Sequence, residues 1–352
     1  MAKYILYFIV VLMAAKSDAS SRRRITLRMI AAAAHVSVMT VSYALRDSSE
    51  VSESERKRIH EIADQLGYRP DPLLTHLMQH LRSQRKLKSG GNLGVLTMLD
   101  AQFVRRLLDG AHARATHLGY NLDVIDARAS ATKSRSLTRT LLARGISGVL
   151  LAPTVDPTSY RSLLDWTQFA AIAMTYSVVE PHVHRVVTHH FDNAVRTFAL
   201  LEERGFRRIG LAMTHDMEFR ANHSYSGAYF RRSPSKILPI LFLEDGGTRL
   251  VRTWFEKHRP DAVVVANAHQ VRDFLRPALG TKIAANTTFV CLDYEKGTEV
   301  PGIDQLFETI GSHSVDALVA QIHRNEHGIP ENPTIAMVEG HWVDGPGLYP
   351  LK

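Results

Sequence analysis

Leu27-x-x-Ile30-Ala31-x-x-Ala34-x-Val36-Ser37-x-x-Thr40-Val41-Ser42-x-Ala44-Leu45 spaces its apolar and small residues as a helix, a break and a second helix. Leu27, Ile30, Ala31 and Ala34 recur at helical intervals, and His35-Val36-Ser37 interrupts them. Val38, Val41 and Leu45 then share one face of the second helix. Ser52-x-x-Glu55 is a capping box that opens a third helix, with Ile59, Ile62, Ala63 and Leu66 turned inward and Gly67 as its stop. Three short helices with a three-residue break between the first two describe a helix-turn-helix unit. Ser37 and Thr40 stand at the start of its second helix, where hydroxyls and backbone N–H groups suit a phosphate. Val38, Met39 and Tyr43 fall on the outward side, positioned for base edges in a major groove. Ser42, Arg46 and Arg69 are placed to hold the phosphate backbone. A helical bundle used for protein contacts is the other reading of the same pattern.

The charge distribution points the same way. Residues 21–88 carry 13 Lys+Arg against 7 Asp+Glu, whereas the rest of the chain holds 30 against 28. A small basic module on a near-neutral partner implies a polyanion at the N-terminal end. The 352 residues amount to about two domains' worth of chain. With 45% hydrophobic and 22% charged residues, a disordered or fibrous chain is excluded. A single cysteine, Cys291, allows no intrachain disulfide and no four-thiolate zinc site.

Upstream, Tyr4–Ala15 is an apolar run behind Lys3, shorter than the ~20 residues needed to cross a bilayer. It has the form of a signal-peptide core, with Ala19-Ser20-Ser21 as a cleavage site. The competing readings are an uncleaved apolar terminus and a start codon placed too early, with Met13 as the start and residues 1–12 untranslated. The DNA-directed segment that follows favours these, so residues 1–24 are set aside as an apolar, then basic, extension. Residues 25–69 form the expected headpiece. Tyr68-Arg69-Pro70-Asp71-Pro72 is a stiff linker whose Asp71 and Pro72 suit a helix start. Leu74, Leu77, Met78 and Leu81 then share one side of a helix too short to stand alone in water. The basic stretch 83–92 closes this linker, giving 70–92 as a hinge and 93–352 as a core.

From Leu93 strands alternate with helices. Apolar strand candidates are 93–99, 121–125, 148–152, 170–175, 209–213, 238–243, 262–266 and 288–292, with amphipathic helices at 102–117, 132–144, 192–204 and 250–258. Such alternation makes an α/β core of doubly wound parallel sheets, better split into two lobes than forced into one. Ligands in these folds sit beyond the carboxyl ends of the strands.

With Val51-Ser52 and Gly67-Tyr68-x-Pro70 added, the N-terminal block resembles the DNA-binding headpiece of the lactose repressor (LacI/GalR) family. Beyond it, Leu141-x-x-Arg144-Gly145-Ile146-Ser147-Gly148-Val149-Leu150-Leu151, Asp192-Asn193 followed by Gly205-Phe206-Arg207-Arg208-Ile209-Gly210, Arg259-Pro260-Asp261-Ala262-Val263 and Asp304-Gln305-x-x-x-x-Ile310-Gly311-x-x-x-Val315 resemble that family's core, similar to periplasmic sugar-binding proteins. The resemblance implies an all-α helix-turn-helix headpiece and a two-lobed periplasmic-binding-protein-like core. It implies a small molecule in the cleft, and dimer faces on the helices after Phe103 and Val271. It also implies that the 70–81 helix, which carries Leu74 and Leu77, folds on operator DNA, where two such helices of a dimer meet in the minor groove and Leu77 wedges between central base pairs. The alternative is an ordinary linker helix packed on the core, since Leu74 and Leu77 can equally serve dimer contact.

Departures from the family pattern limit the transfer. The family often has Gly where His35 stands and a long polar residue where Tyr43 stands. It commonly has an Arg shortly before a second-lobe Gly, where this chain has Ser224 before Gly227 and Arg220 further upstream. Asn-Asp after the 262–266 strand is here Asn267-Ala268, so one sugar-pairing carboxylate is missing. Asp192, Asp293 and Gln305 remain in cleft positions, with Asn267, Arg220 and His223 beside them; Asp192 can equally cap the helix that follows.

His323-Arg324-Asn325-Glu326-His327 fits an H-x-x-E-H zinc motif but falls at a helix end, and His182, His184, His189 and His190 crowd one loop. Neither outweighs a polar helix terminus and a histidine-rich loop in a chain of 18 histidines. No phosphate-binding loop, dinucleotide fingerprint or nucleophile elbow appears. The expectation is a cytoplasmic DNA-binding regulator, a repressor and not an enzyme, acting as a homodimer on a pseudo-palindromic operator of double-stranded DNA. A small-molecule effector, a sugar or related metabolite, would control it, with no cofactor, metal or membrane partner. The alternative is an exported periplasmic solute-binding protein.

Overall fold

Small and apolar residues at helical spacing fold the N-terminal unit as the pattern requires. Helices α1 (Leu27–Ala34), α2 (Val38–Ala44) and α3 (Glu53–Gln65) bury Ile30, Ala34, Val41, Ala44 and Ile59 completely. The computed structural model describes residues 27–45, 51–66, 91–128, 134–244, 246–346 and 348. The chain divides into two units, residues 1–82 and 83–352. Between α1 and α2, His35 adopts φ 55°, a left-handed conformation that favours glycine and accounts for the family's preference at this turn. Helix α3 closes the other two at their carbonyl ends. Arg58 donates to the Ala34 carbonyl at 2.9 Å, and the His60 ring meets the Ala44 carbonyl at 3.1 Å. Ser52 caps α3, but the Glu55 carboxylate turns to Arg58 at 2.7 Å, so only half of the capping box forms. Leu66, expected inward, is 37% exposed, whereas Val38 is 41% exposed on the outward side.

The second unit contains two six-stranded sheets. Strands β1 (Asn92–Thr97), β2 (Asn121–Asp126), β3 (Ile146–Leu151), β4 (Ala170–Met174), β5 (His184–Thr188) and β11 (Ile335–Val338) form the first, in the order β11-β5-β4-β3-β1-β2. Strands β6 (Ile209–Met213), β7 (Leu241–Phe242), β8 (Ala262–Asn267), β9 (Thr288–Asp293), β10 (Gly302–Asp304) and β12 (His341–Val343) form the second, in the order β12-β10-β9-β8-β6-β7. All pairings are parallel except β10 with β12. Helices α4 (Gln102–His117), α5 (Ser134–Ala143) and α10 (Phe307–Arg324) cover the first sheet. The second is covered by α6 (His190–Glu203), α7 (His215–Arg220), α8 (Ser224–Phe230), α9 (Gly247–His258) and a helical run over 268–285. The chain passes between lobes three times, after Thr188, Asp304 and Val338.

Sequence periodicity locates the long strands and misses β5, β10, β11 and β12, which serve these passages. The expected strand 238–243 shrinks to Leu241–Phe242. Pro239 has no N–H for a ladder, and the Leu238 N–H donates instead to the Tyr229 hydroxyl at 2.8 Å. No described helix is long and apolar enough to cross a membrane.

Two glycines set the crossing of α4 and α10. A methyl on Gly110 would overlap the Glu308 carbonyl, and one on Gly311 would overlap the Leu107 carbonyl. Gly311→Ala is therefore expected to force the helices apart and cost about 2–3 kcal/mol, measured by chemical denaturation; a loss below about 1 kcal/mol would mean that the helices separate easily. In the headpiece, Arg58→Met leaves the Ala34 carbonyl without its charged donor. It is expected to cost about 1 kcal/mol, seen as roughly fivefold faster hydrogen exchange in α1 and α2.

Candidate nucleic-acid interface and interlobe cleft

Ser37 sits just outside α2 with extended backbone angles, and its hydroxyl accepts the Thr40 N–H at 3.0 Å. The Thr40 hydroxyl lies 2.9 Å from it, so the two expected phosphate contacts form one cap. Met39 is 62% exposed and projects from the same turn as Val38. Tyr43, expected on the outward side, is only half-exposed because its ring packs against the headpiece core. Ser42 lies on α2. Arg46, Arg69, Leu74 and Leu77 lie outside the described residues.

In the second unit a small cleft of about 100 Å³ opens where the parallel strands of both sheets end. Pro153, Thr175, Ser177 and Thr188, which follow or end β3, β4 and β5, form the first-lobe wall. Asn267 and Asp293, the last residues of β8 and β9, form the other wall with Met217 and Arg220 of α7. Thr175 holds φ 78°, a strained conformation for a β-branched residue, and its hydroxyl lies 3.1 Å from that of Ser177. Phe103 and Phe307 pack 5.5 Å apart at the cleft, and the Arg220 guanidinium lies 5.8 Å from the Phe103 ring across the lobes.

A buried polar chain runs through the floor. Thr188 donates to Gln305 Oε1 at 3.1 Å; Gln305 Nε2 donates to the Leu292 carbonyl at 2.7 Å and the Tyr225 hydroxyl at 3.2 Å. The Tyr225 hydroxyl in turn lies within hydrogen-bond distance of His190 Nδ1, at 3.1 Å. Burial, with neighbouring His189, lowers His190 to about 3, so its ring is neutral and one of its nitrogens is an acceptor. Burial likewise raises the Tyr225 phenol far above its ordinary value, keeping it a donor. Nearby, Arg106 of α4 donates to Asp304 at 2.9 Å and to both Glu308 oxygens at 2.6 and 2.7 Å, tying the second passage to the first lobe.

Four of the six expected cleft residues, Arg220, Asn267, Asp293 and Gln305, line this space. Asp192 and His223 do not. Asp192 lies in the first turn of α6, ion-paired with Arg196 at 2.7 Å. Its carboxylate gathers with His189 and Glu339 within 4.8 Å, the one group of this kind among the described residues able to offer three metal-ligand atoms. His223 is turned away because Asn222 and His223 both adopt left-handed angles between α7 and α8. Asn267 Oδ1 caps the following turn by accepting the Gln270 N–H at 3.2 Å. Tyr225, His190, Thr175 and Ser177 are not singled out by the sequence as cleft residues; no spacing marks them, since they reach the cleft from three separate parts of the chain, the loop after β4, the start of α6 and α8. The H-x-x-E-H motif does not assemble. Helix α10 ends at Asn325 with φ 57°, leaving His323 on the helix at 3.1 Å from the Tyr120 hydroxyl and His327 beyond it. His182, His184, His189 and His190 disperse as well, with His184 held by Thr334 at 2.7 Å.

Asp293 is the most perturbed acid of the cleft. Burial pushes it up to about 7, opposed by Arg106 and Arg220 and assisted by Asp304 and Glu295. The native state then carries a proton between about pH 4 and 7 that the unfolded chain has lost, so this residue makes stability fall as pH rises through that window. Asp293→Asn is expected to flatten the slope and stabilise the protein at pH 8 by about 1–2 kcal/mol. Denaturation at pH 5 and pH 8 checks it, and an unchanged slope would show that Asp293 is ionised at both.

Residues 26–71 match the model of the family described as bacterial regulatory proteins, lacI family. The repressor PurR of Actinobacillus pleuropneumoniae serotype 5b (strain L20) is 21% identical over 203 residues, 57% of this chain and 58% of that protein. The chain thus matches little more than half the length of that relative. Among solved structures, the lac repressor dimer bound to operator and the anti-inducer ONPF superposes with a TM-score of 0.54 at 20% identity, covering 92% of this chain and 98% of that one. The regulator CelR in complex with cellobiose superposes at 0.52 and 19% identity, covering 92% and 100%. Residues 26–71 thus match the headpiece of the lacI family of bacterial regulatory proteins, and the two lobes beyond them have the fold of the lac repressor core.

Proposed function

We propose that this chain is a sequence-specific DNA-binding transcriptional regulator, a repressor, that works in the cytoplasm as a homodimer on a pseudo-palindromic operator. The observation that carries this is the capped, outward-facing start of α2, with Met39 and Val38 exposed, inside a segment that matches the lacI headpiece. In this reading Ser37, Thr40, Ser42, Arg46 and Arg69 hold phosphates, while Val38, Met39 and one edge of Tyr43 meet bases. Residues 25–69 act as the headpiece, 70–92 as the hinge and 93–352 as the effector-binding and dimerising core. Leu74 and Leu77 of the hinge enter the minor groove. An exported solute-binding protein would account for the core alone and leave the 26–71 match without a role.

The cleft takes a small polar effector, a sugar or related metabolite, as the cellobiose-bound relative does. Arg220, Asn267 and Asp293 offer hydrogen bonds from the second lobe, Thr175 and Ser177 from the first, and Phe103 and Phe307 offer flat apolar surface. A ligand touching both walls binds the closed arrangement better than the open one, and that difference is what it can transmit to the hinge. No step of this mechanism calls for catalysis or a cofactor.

Footprinting of the purified protein on its own chromosomal DNA at two salt concentrations tests the proposal. The expected result is a short inverted repeat near promoters, with affinity falling steeply as salt rises; weak, sequence-blind binding would overturn it. Met39→Ala is expected to cost about 1–2 kcal/mol on the operator and almost nothing on unrelated DNA. Equal losses on both would remove Met39 from base contact.

A further inference from the structure

A second cavity lies on the other side of α7, in the second lobe. It is open to solvent, has a volume of about 730 Å³, and is walled by Phe230, Ile237, Leu238, Ile240 and Phe242. Its polar lining is His215, Glu218, His223 and Ser226, and no Lys or Arg is among its described lining residues. Glu218 is 4% exposed. One of its carboxylate oxygens accepts the N–H and the hydroxyl of Ser226 and lies 3.8 Å from His223 Nδ1. The other oxygen, Oε2, is buried and has no hydrogen-bond partner. A carboxylate oxygen withdrawn from water without a donor is costly and rare in folded proteins. The apolar walls supply no donor. Above it, the exposed Phe230 ring and the Phe242 ring, stacked on His215 at 3.9 Å, present aromatic faces.

We propose that this cavity is a binding site, separate from the interlobe cleft, for a small protonated amine with an apolar body. The ammonium N–H meets Glu218 Oε2, and the body lies on Phe230, Ile240 and Phe242. A charge-assisted N–H bond satisfies the orphaned oxygen, the aromatic faces favour a cation, and no lining cation opposes it. A neutral hydroxyl of the same size gains the apolar contact without the charge. Helix α7 is the shared wall: it turns His215 and Glu218 to this cavity, and Met217 and Arg220 to the cleft.

Calorimetric titration of the full-length protein with 2-phenylethylamine and with 2-phenylethanol tests the site. One amine is expected to bind per chain, at least about tenfold tighter than the alcohol. Glu218→Gln is expected to erase that preference while leaving the alcohol unaffected. Phe230→Ala, at a ring that is 58% exposed and so dispensable for folding, is expected to weaken the amine about threefold. Asp293→Asn, in the cleft, should leave amine binding unchanged. Absence of binding, equal affinity for amine and alcohol, or a loss confined to Asp293→Asn would overturn the proposal. If Glu218→Gln fails to fold, a Phe230→Ala protein that binds the amine as tightly as the parent does so equally.

Discussion

The core of this protein depends on a hydrogen-bond chain that no single lobe can complete. Thr188, Gln305, Tyr225 and His190 come from the first passage, the second passage and the second lobe, and all four are withdrawn from water. A buried polar chain costs free energy unless each member finds its partner. Gln305 finds three partners at once, because its amide spans Thr188, Leu292 and Tyr225 while its backbone follows β10. Misplacing either passage would strand a donor or an acceptor in the interior. The chain therefore fixes how the passages run together, and it does so directly beneath the cleft. Arg106 adds a charged tie from above, holding Asp304 and Glu308 to α4.

This arrangement explains which parts of the fold were legible in the sequence. The headpiece was readable because its information is local: Ile30, Ala34, Val41 and Ile59 mark helical faces within a few turns of one another. The long strands were readable because strands buried on both faces are near-continuous apolar runs, as in Val263-Val264-Val265. The passages were not. Strand β10 has three residues, and Leu306 after it holds φ 56°, a conformation that no propensity suggests for leucine. Strand β5 begins at His184-Arg185, polar residues buried or half-buried because Thr334 and the Val178 carbonyl receive them. Their pairing is long-range, and single-sequence periodicity carries nothing about it.

The cleft was legible in the same uneven way. Asn267, Asp293 and Gln305 follow apolar runs, so the rule that ligands bind beyond strand ends finds them. Asp192 follows no strand directly; it falls within the first turn of α6, and its carboxylate turns to Arg196. His223 is removed by two successive left-handed residues. Tyr225 looks like any aromatic of an amphipathic helix. Only the tertiary fold shows that its hydroxyl is the joint between Gln305 and His190.

The departures of this chain from the lacI-family pattern it resembles become coherent when the cleft is taken by chemistry rather than by position. The carboxylate missing after β8 has a counterpart at the end of β9, because β8 and β9 are neighbours with Asn267 paired directly to Asp293. The guanidinium missing before Gly227 is supplied one helix earlier by Arg220, which reaches the same space. What changes is the state of the acid. Asp293 is crowded by Asp304 and Glu295, and its desolvation outweighs the help of Arg106 and Arg220, so it sits near neutrality. A carboxyl poised there can accept a hydrogen bond as the anion or donate one as the acid. A ligand that brings a donor or a cation favours the anion, whereas one that brings an anion favours the acid. On the proposed reading, an effector in this cleft is selected by protonation as well as by shape, and the proton that Asp293 gains or loses would enter its binding free energy.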